Sequence, residues 1–275
     1  MFYSFKSFSK ISIVFFITCF CYSHALSILP SPRIVGGVPV NTTNRSFLFI
    51  ASLQAKSGQK FQHFCGGALI APLWVITAAH CIKYGLPARV LVGSYDLLLP
   101  AKTRTAQVRT IAGSWVHPKN LSYKSYDVAL LKLSSAITSI PLPKMSTATA
   151  LNPGTFENSG QLLQVAGWGY INEGTGLTQS FLRIANVPVV STKLCQVAYP
   201  SVNYLQICAG YIGGGIDSCS GDSGGPLFYK SSLGSITVVG LVSYGRGCAR
   251  PGYFGVYTRI SSILPFITKT IRENS

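Results

Sequence analysis

Acidic side chains are what this sequence has least of: seven Asp and Glu stand against 23 Lys and Arg in 275 residues. Long amphipathic runs are also few, which argues against a helical bundle. Beyond the first 25 residues nothing approaches the length of a transmembrane helix, so the mature chain is expected to be soluble, with no membrane span. There is no internal repeat and no phosphate-binding glycine loop. The basic residues are scattered singly rather than in runs, so they read as a solvated surface with at most weak affinity for polyanions. The scarcity of acids makes their positions informative. Two of the seven, Asp217 and Asp222, share the ten-residue stretch DSCSGDSGGP from Asp217 to Pro226, beside a cysteine and among glycines.

The amino terminus carries Lys6 and Lys10, then the apolar run ISIVFFITCFCY, then the small-residue sites of Ser23-His24-Ala25. This is the pattern of a secretory signal over residues 1–25, so the chain is expected to be secreted. Its removal takes Cys19 and Cys21 and leaves six cysteines: Cys65, Cys81, Cys195, Cys208, Cys219 and Cys248. An even number in an exported chain points to disulfides, and six allow 15 connectivities among which spacing does not choose. Sequons at Asn41, Asn44 and Asn120 would suit glycan-bearing surface loops.

Short β-branched and aromatic runs recur along the rest: FLFIASL, HFCGGALI, RVLVGS, VALLKL, QLLQVAGW and ITVVGLVSYG. Turn residues separate them, the pattern of an all-β sandwich or barrel. The weakly periodic stretch from Ile140 to Gly160 reads as a link between two halves, about 34–140 and 141–260. Only Ser261 to Arg272 is expected to form a helix. Trp74, Trp115 and Trp168 are expected in or near the cores. His63 reads as a local hydrogen-bonding residue, and His117, followed by Pro118, as an exposed turn.

Three signals carry chemistry. His80 lies in WVITAAHC, Asp127 in YDVALLKL and Ser223 in GDSGGP. Each alone is ordinary. Together they supply a hydroxyl nucleophile, an imidazole to accept its proton and a carboxylate to orient the imidazole. The glycines at 221, 224 and 225 permit a backbone path in which the amides of Gly221 and Ser223 converge on an oxyanion.

With IVGG (Ile34 to Gly37), AGWG (Ala166 to Gly169), CAGY (Cys208 to Tyr211), VSYG and GVYTRI added, the chain resembles a serine protease of the chymotrypsin clan, and trypsin in particular. The resemblance runs from Ile34 to the C-terminus. It implies two six-stranded antiparallel barrels with the catalytic residues in the cleft between them, a protease domain over 34–275, and the pairs Cys65–Cys81, Cys195–Cys208 and Cys219–Cys248. Asp217 would then sit at the base of a specificity pocket that also involves Ser218, Tyr244, Gly245 and Gly255. An arginine or lysine of a protein or peptide substrate would enter that pocket.

The same resemblance makes LSILPSPR, residues 26–33, an activation propeptide. Cutting after Arg33, by a protease of the same specificity, would free an ammonium on Ile34 to pair with Asp222. The chain is expected to act as a monomer, to meet protein inhibitors and to need no cofactor. One acid, Asp96, in the Gly93–Thr105 loop argues against a calcium site there. Tyr244 stands where the family usually has Trp, and Phe254 where it has Pro or Tyr. Two alternatives stay open: a basic, non-catalytic polyanion-binding relative, and a protease of chymotrypsin-like specificity.

Overall fold

The computed structural model describes residues 1–2, 34–41, 43, 45–98, 104–122, 125–147, 155–170, 173–174 and 178–275. The expected signal segment beyond Phe2, the propeptide with Arg33, and Asn44 lie outside them, as does 148–154 of the expected link. Among the described residues no helix is long and apolar enough to cross a membrane.

The short apolar runs form strands of two sheets. The first holds β2 (Ile50–Ser57), β3 (Lys60–Ala71), β4 (Trp74–Thr77), β5 (Arg89–Val92), β6 (Gln107–Arg109), β7 (Ile111–Val116) and β8 (Ala129–Leu133), in the order β6-β5-β2-β3-β4-β8-β7. Every neighbour is antiparallel. The sheet curls without a closing ladder. Its two edges, β6 and β7, are consecutive strands separated by Thr110, so one bend in the chain carries it from one edge to the other.

The second sheet closes. It contains β10 (Leu162–Gly167), β11 (Arg183–Val190), β12 (Gln206–Ala209), β13 (Pro226–Lys230), β14 (Ile236–Tyr244) and β15 (Gly255–Arg259). The β11–β12 pairing joins the ends of the path β11-β10-β13-β14-β15-β12 into a six-stranded barrel. Two short strands attach outside it: β1 (Val38–Pro39) on β11, and β9 (Lys144–Met145) parallel to β14. The architecture is therefore all-β as expected, with one closed barrel and one curled sheet of seven strands. Helix α1 (Thr192–Ala198) is capped by Ser191, whose Oγ accepts from Leu194 N. Helix α2 (Ile260–Glu273) buries Ile260, Ile263, Ile267 and Thr270, a 3–4–3 spacing that keeps one stripe inward.

One apolar cluster spans both sheets. Phe228 of β13 is fully buried and meets Phe47 and Phe49 of the first half, each at 5.7 Å between ring centroids. Trp168 is also buried, and its Nε1 donates to Tyr95 O at 3.1 Å across the same boundary. Trp74 packs on the half-buried Trp115 at 5.2 Å. The cleft between the sheets thus rests on a shared core rather than on a hinge. All three expected disulfides are formed: Cys65–Cys81, Cys195–Cys208 and Cys219–Cys248.

The shared core gives a stability prediction. Phe228→Ala removes the ring that both halves touch and should cost about 3–5 kcal/mol. Equilibrium denaturation in urea would show it, and a loss below about 1 kcal/mol would mean that the halves are held together elsewhere.

Candidate active site

Strands β4 and β8 run antiparallel with Thr77 opposite Ala129. The residues just beyond the end of one and just before the start of the other therefore leave the sheet at the same edge. These are His80, in a 3-10 turn over Ala79–Ile82, and Asp127. The Asp127 carboxylate is buried and accepts from His80 twice, from Nδ1 at 2.8 Å and from the backbone N at 3.0 Å. Ser243 Oγ donates to the same Oδ2 at 2.6 Å, and Thr258 Oγ1 donates to Asp127 O at 2.9 Å. Three donors on the carboxylate fix its plane, and the Nδ1 bond fixes the imidazole. The His80 side chain keeps 30% of its surface exposed against 1% for Asp127, so the ring faces the cleft. Ser243 and Thr258 lie in motifs visible in the sequence, VSYG and GVYTRI, but their contact with Asp127 joins residues more than 100 positions apart.

Ser223 approaches from the other half, in the loop between β12 and β13. The Cys81 sulfur lies 3.9 Å from His80 Nε2 and 3.5 Å from Ser223 O, so the two residues flank one disulfide. Ser223 O also accepts from Gly66 N of β3 at 2.7 Å. The glycines around Ser223 are required by this contact. A Cβ on Gly224, whose φ is +77°, would lie 2.2 Å from Thr77 Oγ1, and a Cβ on Gly66 would lie 2.8 Å from Gly225 Cα. Backbone meets backbone here, with no room for a side chain.

Two peptide planes beside Ser223 are oriented by their carbonyls. Ser220 O accepts from Tyr170 N at 2.7 Å, and Asp222 O accepts from Gly225 N at 2.8 Å. Because a trans peptide is planar, the N–H groups of Gly221 and Ser223 point away from those partners. His63 adds a brace to the next plane: its Nε2 lies 2.8 Å from Gly221 O and its Nδ1 2.8 Å from Ser52 Oγ, with Trp168 at 5.5 Å. Burial lowers the pKa of His63 to about 4. The expected local hydrogen-bonding role was too modest, since His63 ties β2 to the serine loop.

Beside Ser223 lies a cavity of about 370 Å³ whose lining includes Asp217, Ser218, Ser223, Tyr244, Gly245 and Gly255. Asp217 is buried; its Oδ1 accepts from Ser218 N at 2.8 Å and its Oδ2 from Ala249 N at 3.1 Å. Burial outweighs these donors and raises its pKa to about 7. The neighbouring Tyr257 hydroxyl is held un-ionised by burial and by the carboxylates. A Cβ on Gly255 would lie 2.8 Å from both Asp217 Oδ1 and Tyr257 OH, so only glycine leaves the acid reachable. The constraint on Gly245 is weaker, with the nearest atom at 3.3 Å. Glu173, which the sequence reading passed over, also lines this cavity and forms a two-pronged pair with Arg250 at 2.6 and 2.8 Å.

Asp222 points the opposite way and is fully buried. Gly169 N donates to its Oδ1 at 2.8 Å and Cys219 N to its Oδ2 at 2.9 Å. Burial raises its pKa to about 6 despite both donors. Ile34 is also fully buried, in the second barrel's apolar cluster, and Val35 O accepts from Asp217 N at 3.0 Å.

The sequence that builds this site matches known proteins. A family model described as Trypsin matches residues 34–267. The chain is 37% identical over 244 residues to a "Trypsin-like protease" of Streptomyces glaucescens, covering 86% of this chain and 82% of that protein. It is 37% identical over 222 residues to "Trypsin I-P1" of Gallus gallus, covering 77% and 81%. It is 38% identical over 250 residues to "Trypsin 5G1" of Aedes aegypti, covering 86% and 84%. With the family match spanning most of its length, the chain belongs to the trypsin family of serine proteases.

Proposed function

We propose that the chain is a secreted serine endopeptidase, made as a zymogen, that cleaves after arginine or lysine. The observation that carries the specificity is the Asp217 carboxylate in the cavity beside Ser223. Two neutral amides and burial leave it short of a cation, and a guanidinium or ammonium from the substrate would complete it. An apolar side chain there would leave the buried acid uncompensated, which disfavours chymotrypsin-like cleavage.

In the proposed reaction His80 Nε2 takes the proton of Ser223 Oγ as that oxygen attacks the substrate carbonyl. The Asp127 carboxylate holds the ring with Nδ1 protonated and stabilises the imidazolium. The carbonyl oxygen, now anionic, is met by the N–H groups of Gly221 and Ser223, whose directions follow from the carbonyl bonds to Tyr170 and Gly225. His80 then returns the proton to the leaving amine. Water repeats the cycle on the acyl-enzyme and frees Ser223.

The zymogen reading rests on Asp222 and Ile34. Ile34 has φ +43°, a region that β-branched residues rarely enter. A φ torsion exists only while a peptide bond precedes the residue. Cutting after Arg33 would delete that torsion and release the strain. It would also convert the Ile34 nitrogen to an ammonium able to pair with Asp222, an otherwise costly buried charge. For modification, Asn41 is the favoured glycan site: it is exposed, and its Oδ1 accepts from Thr43 N and Thr43 Oγ1. Asn120 Nδ2, the atom a sugar would occupy, instead donates to Ser122 O, Ser125 O and Tyr126 O.

Three outcomes are expected. Peptides that differ only in Arg, Lys, Phe or Ala before the cleaved bond should be cut after Arg and Lys alone, and only once the chain is cut at Arg33. Ser223→Ala should abolish this, and preference for Phe or Ala would overturn the role of Asp217.

Asp217→Asn should lose cleavage after Arg and Lys yet stabilise the fold at pH 8 by up to about 4 kcal/mol, from a rise of about three pKa units. The sign follows from the raised pKa. Asp217 favours the fold below pH 3.8, and that contribution is lost as pH climbs through about 7. The lowered pKa of His63 acts oppositely, costing stability as pH falls from 6.5 to about 4, but it is present in both proteins and cancels. Melting curves of the two proteins from pH 4 to 8 should therefore diverge toward high pH; parallel curves would refute the raised pKa.

When the chain is expressed through a eukaryotic secretory pathway, Asn41→Gln should remove a glycan's mass from the product. Loss of mass in Asn120→Gln would contradict the assignment.

A further inference from the structure

Tyr126, the residue before Asp127, has φ +47°. Bulky side chains rarely adopt this left-handed backbone, and where they do the surroundings must impose it. Here they do so from several sides. The Tyr126 carbonyl accepts from Val128 N at 2.8 Å and from Asn120 Nδ2 at 3.2 Å. Its ring stacks on the His117 ring, with centroids 4.1 Å apart and planes 7° from parallel. Tyr204, from the loop before β12, is the neighbour that most raises the pKa of its hydroxyl. His117 is fixed in turn: its N donates to Val128 O at 3.2 Å, and Phe266 of α2 meets its ring edge-on at 4.8 Å. His117 opens a turn as expected, with Asn120 N donating to its carbonyl at 2.9 Å, but its ring is half-buried between two aromatics rather than exposed.

The turn at Tyr126, closed by Val128 N on its carbonyl, leads directly into Asp127 and β8. The side chain that follows it points inward, where Asp127 meets His80 Nδ1 and N at 2.8 and 3.0 Å. An ordinary negative φ at 126 would swing the Asp127 Cα–Cβ direction, and both bonds to His80 would not survive together. We propose that Tyr126, held in its left-handed turn by the His117 stack, is a positioning residue that sets the aim of Asp127. This inference rests on the reading of Ser223, His80 and Asp127 as the catalytic residues. Neither Tyr126 nor His117 touches the reacting atoms. Their effect should fall on turnover rather than on the binding of a substrate whose cation sits at Asp217, in the other half.

The test uses the full chain after cutting at Arg33, with an arginine peptide substrate. Tyr126→Gly and Tyr126→Val both delete the ring, but only valine resists the left-handed turn. Valine should give a kcat at least tenfold below that of glycine, with KM within about twofold. His117→Ala should lower kcat about tenfold at unchanged KM, and His117→Phe, which restores a ring for stacking, should recover most of it. Melting temperatures measured alongside separate aim from folding, and if His117→Ala does not fold, the glycine–valine pair still decides. Equal kcat values for that pair would overturn the inference, as would a kcat for His117→Ala equal to that of the parent. Asp127→Asn is the control for the underlying reading: if it is inactive while the Tyr126 and His117 variants turn over normally, only the positioning role falls. If it is fully active, the catalytic reading falls and takes the positioning role with it.

Discussion

A carboxylate with no surface of its own, Asp222, dictates the backbone around it. Its oxygens are solvated by two backbone amides, from Gly169 and Cys219, and by no water-facing edge. The Gly169 amide can approach only because the glycines on either side of Trp168 carry no side chains. A Cβ on Gly167 would lie 2.1 Å from Asp222 Oδ1, and one on Gly169 would lie 2.5 Å from its carboxyl carbon. The AGWG stretch is therefore the cast of Asp222, and the direction of the Ser223 loop follows from where Asp222 is buried. A charge so placed is expensive unless it gains a cation.

The two buried acids of the loop meet different fates for a physical reason. Asp222 faces the interior, where only the protein itself can answer its charge. Asp217 faces a cavity, where a ligand can. Both have pKa values raised first by burial, and both lower the stability of the fold at neutral pH. The protein thus holds unfavourable electrostatics at the two positions where a binding event would relieve it, which is how stability and activity come to oppose each other.

Much of this was legible in the sequence because it is written in contiguous residues. Turn-bounded apolar runs gave the strands, and His80, Asp127, Ser223, Asp217 and Asp222 stood out by type and company. What could not be read depends on chain segments that meet only in three dimensions. The curl of the first sheet rests on how Thr110 divides β6 from β7, a single polar residue with no special signature. The pair of Glu173 with Arg250 joins residues 77 positions apart, and neither belongs to a motif. The turn at His117 is legible because Pro118 follows it; the rings of Tyr126 and Phe266 that enclose it are invisible to local pattern. Ser243 and Thr258 sat in recognisable motifs, yet nothing local announced that both serve Asp127.

His63 draws a mechanical consequence from the plan of the fold. One of its nitrogens belongs to the first sheet through Ser52, and the other holds the carbonyl of Gly221 in the second half. The peptide next to Ser223 is thereby strung between the two sheets like a wire between posts. Any breathing of one sheet against the other would register at that peptide before it reached the far wall of the cleft. The stiffness of the phenylalanine core shared by the sheets is then also the stiffness of the peptide beside the proposed nucleophile.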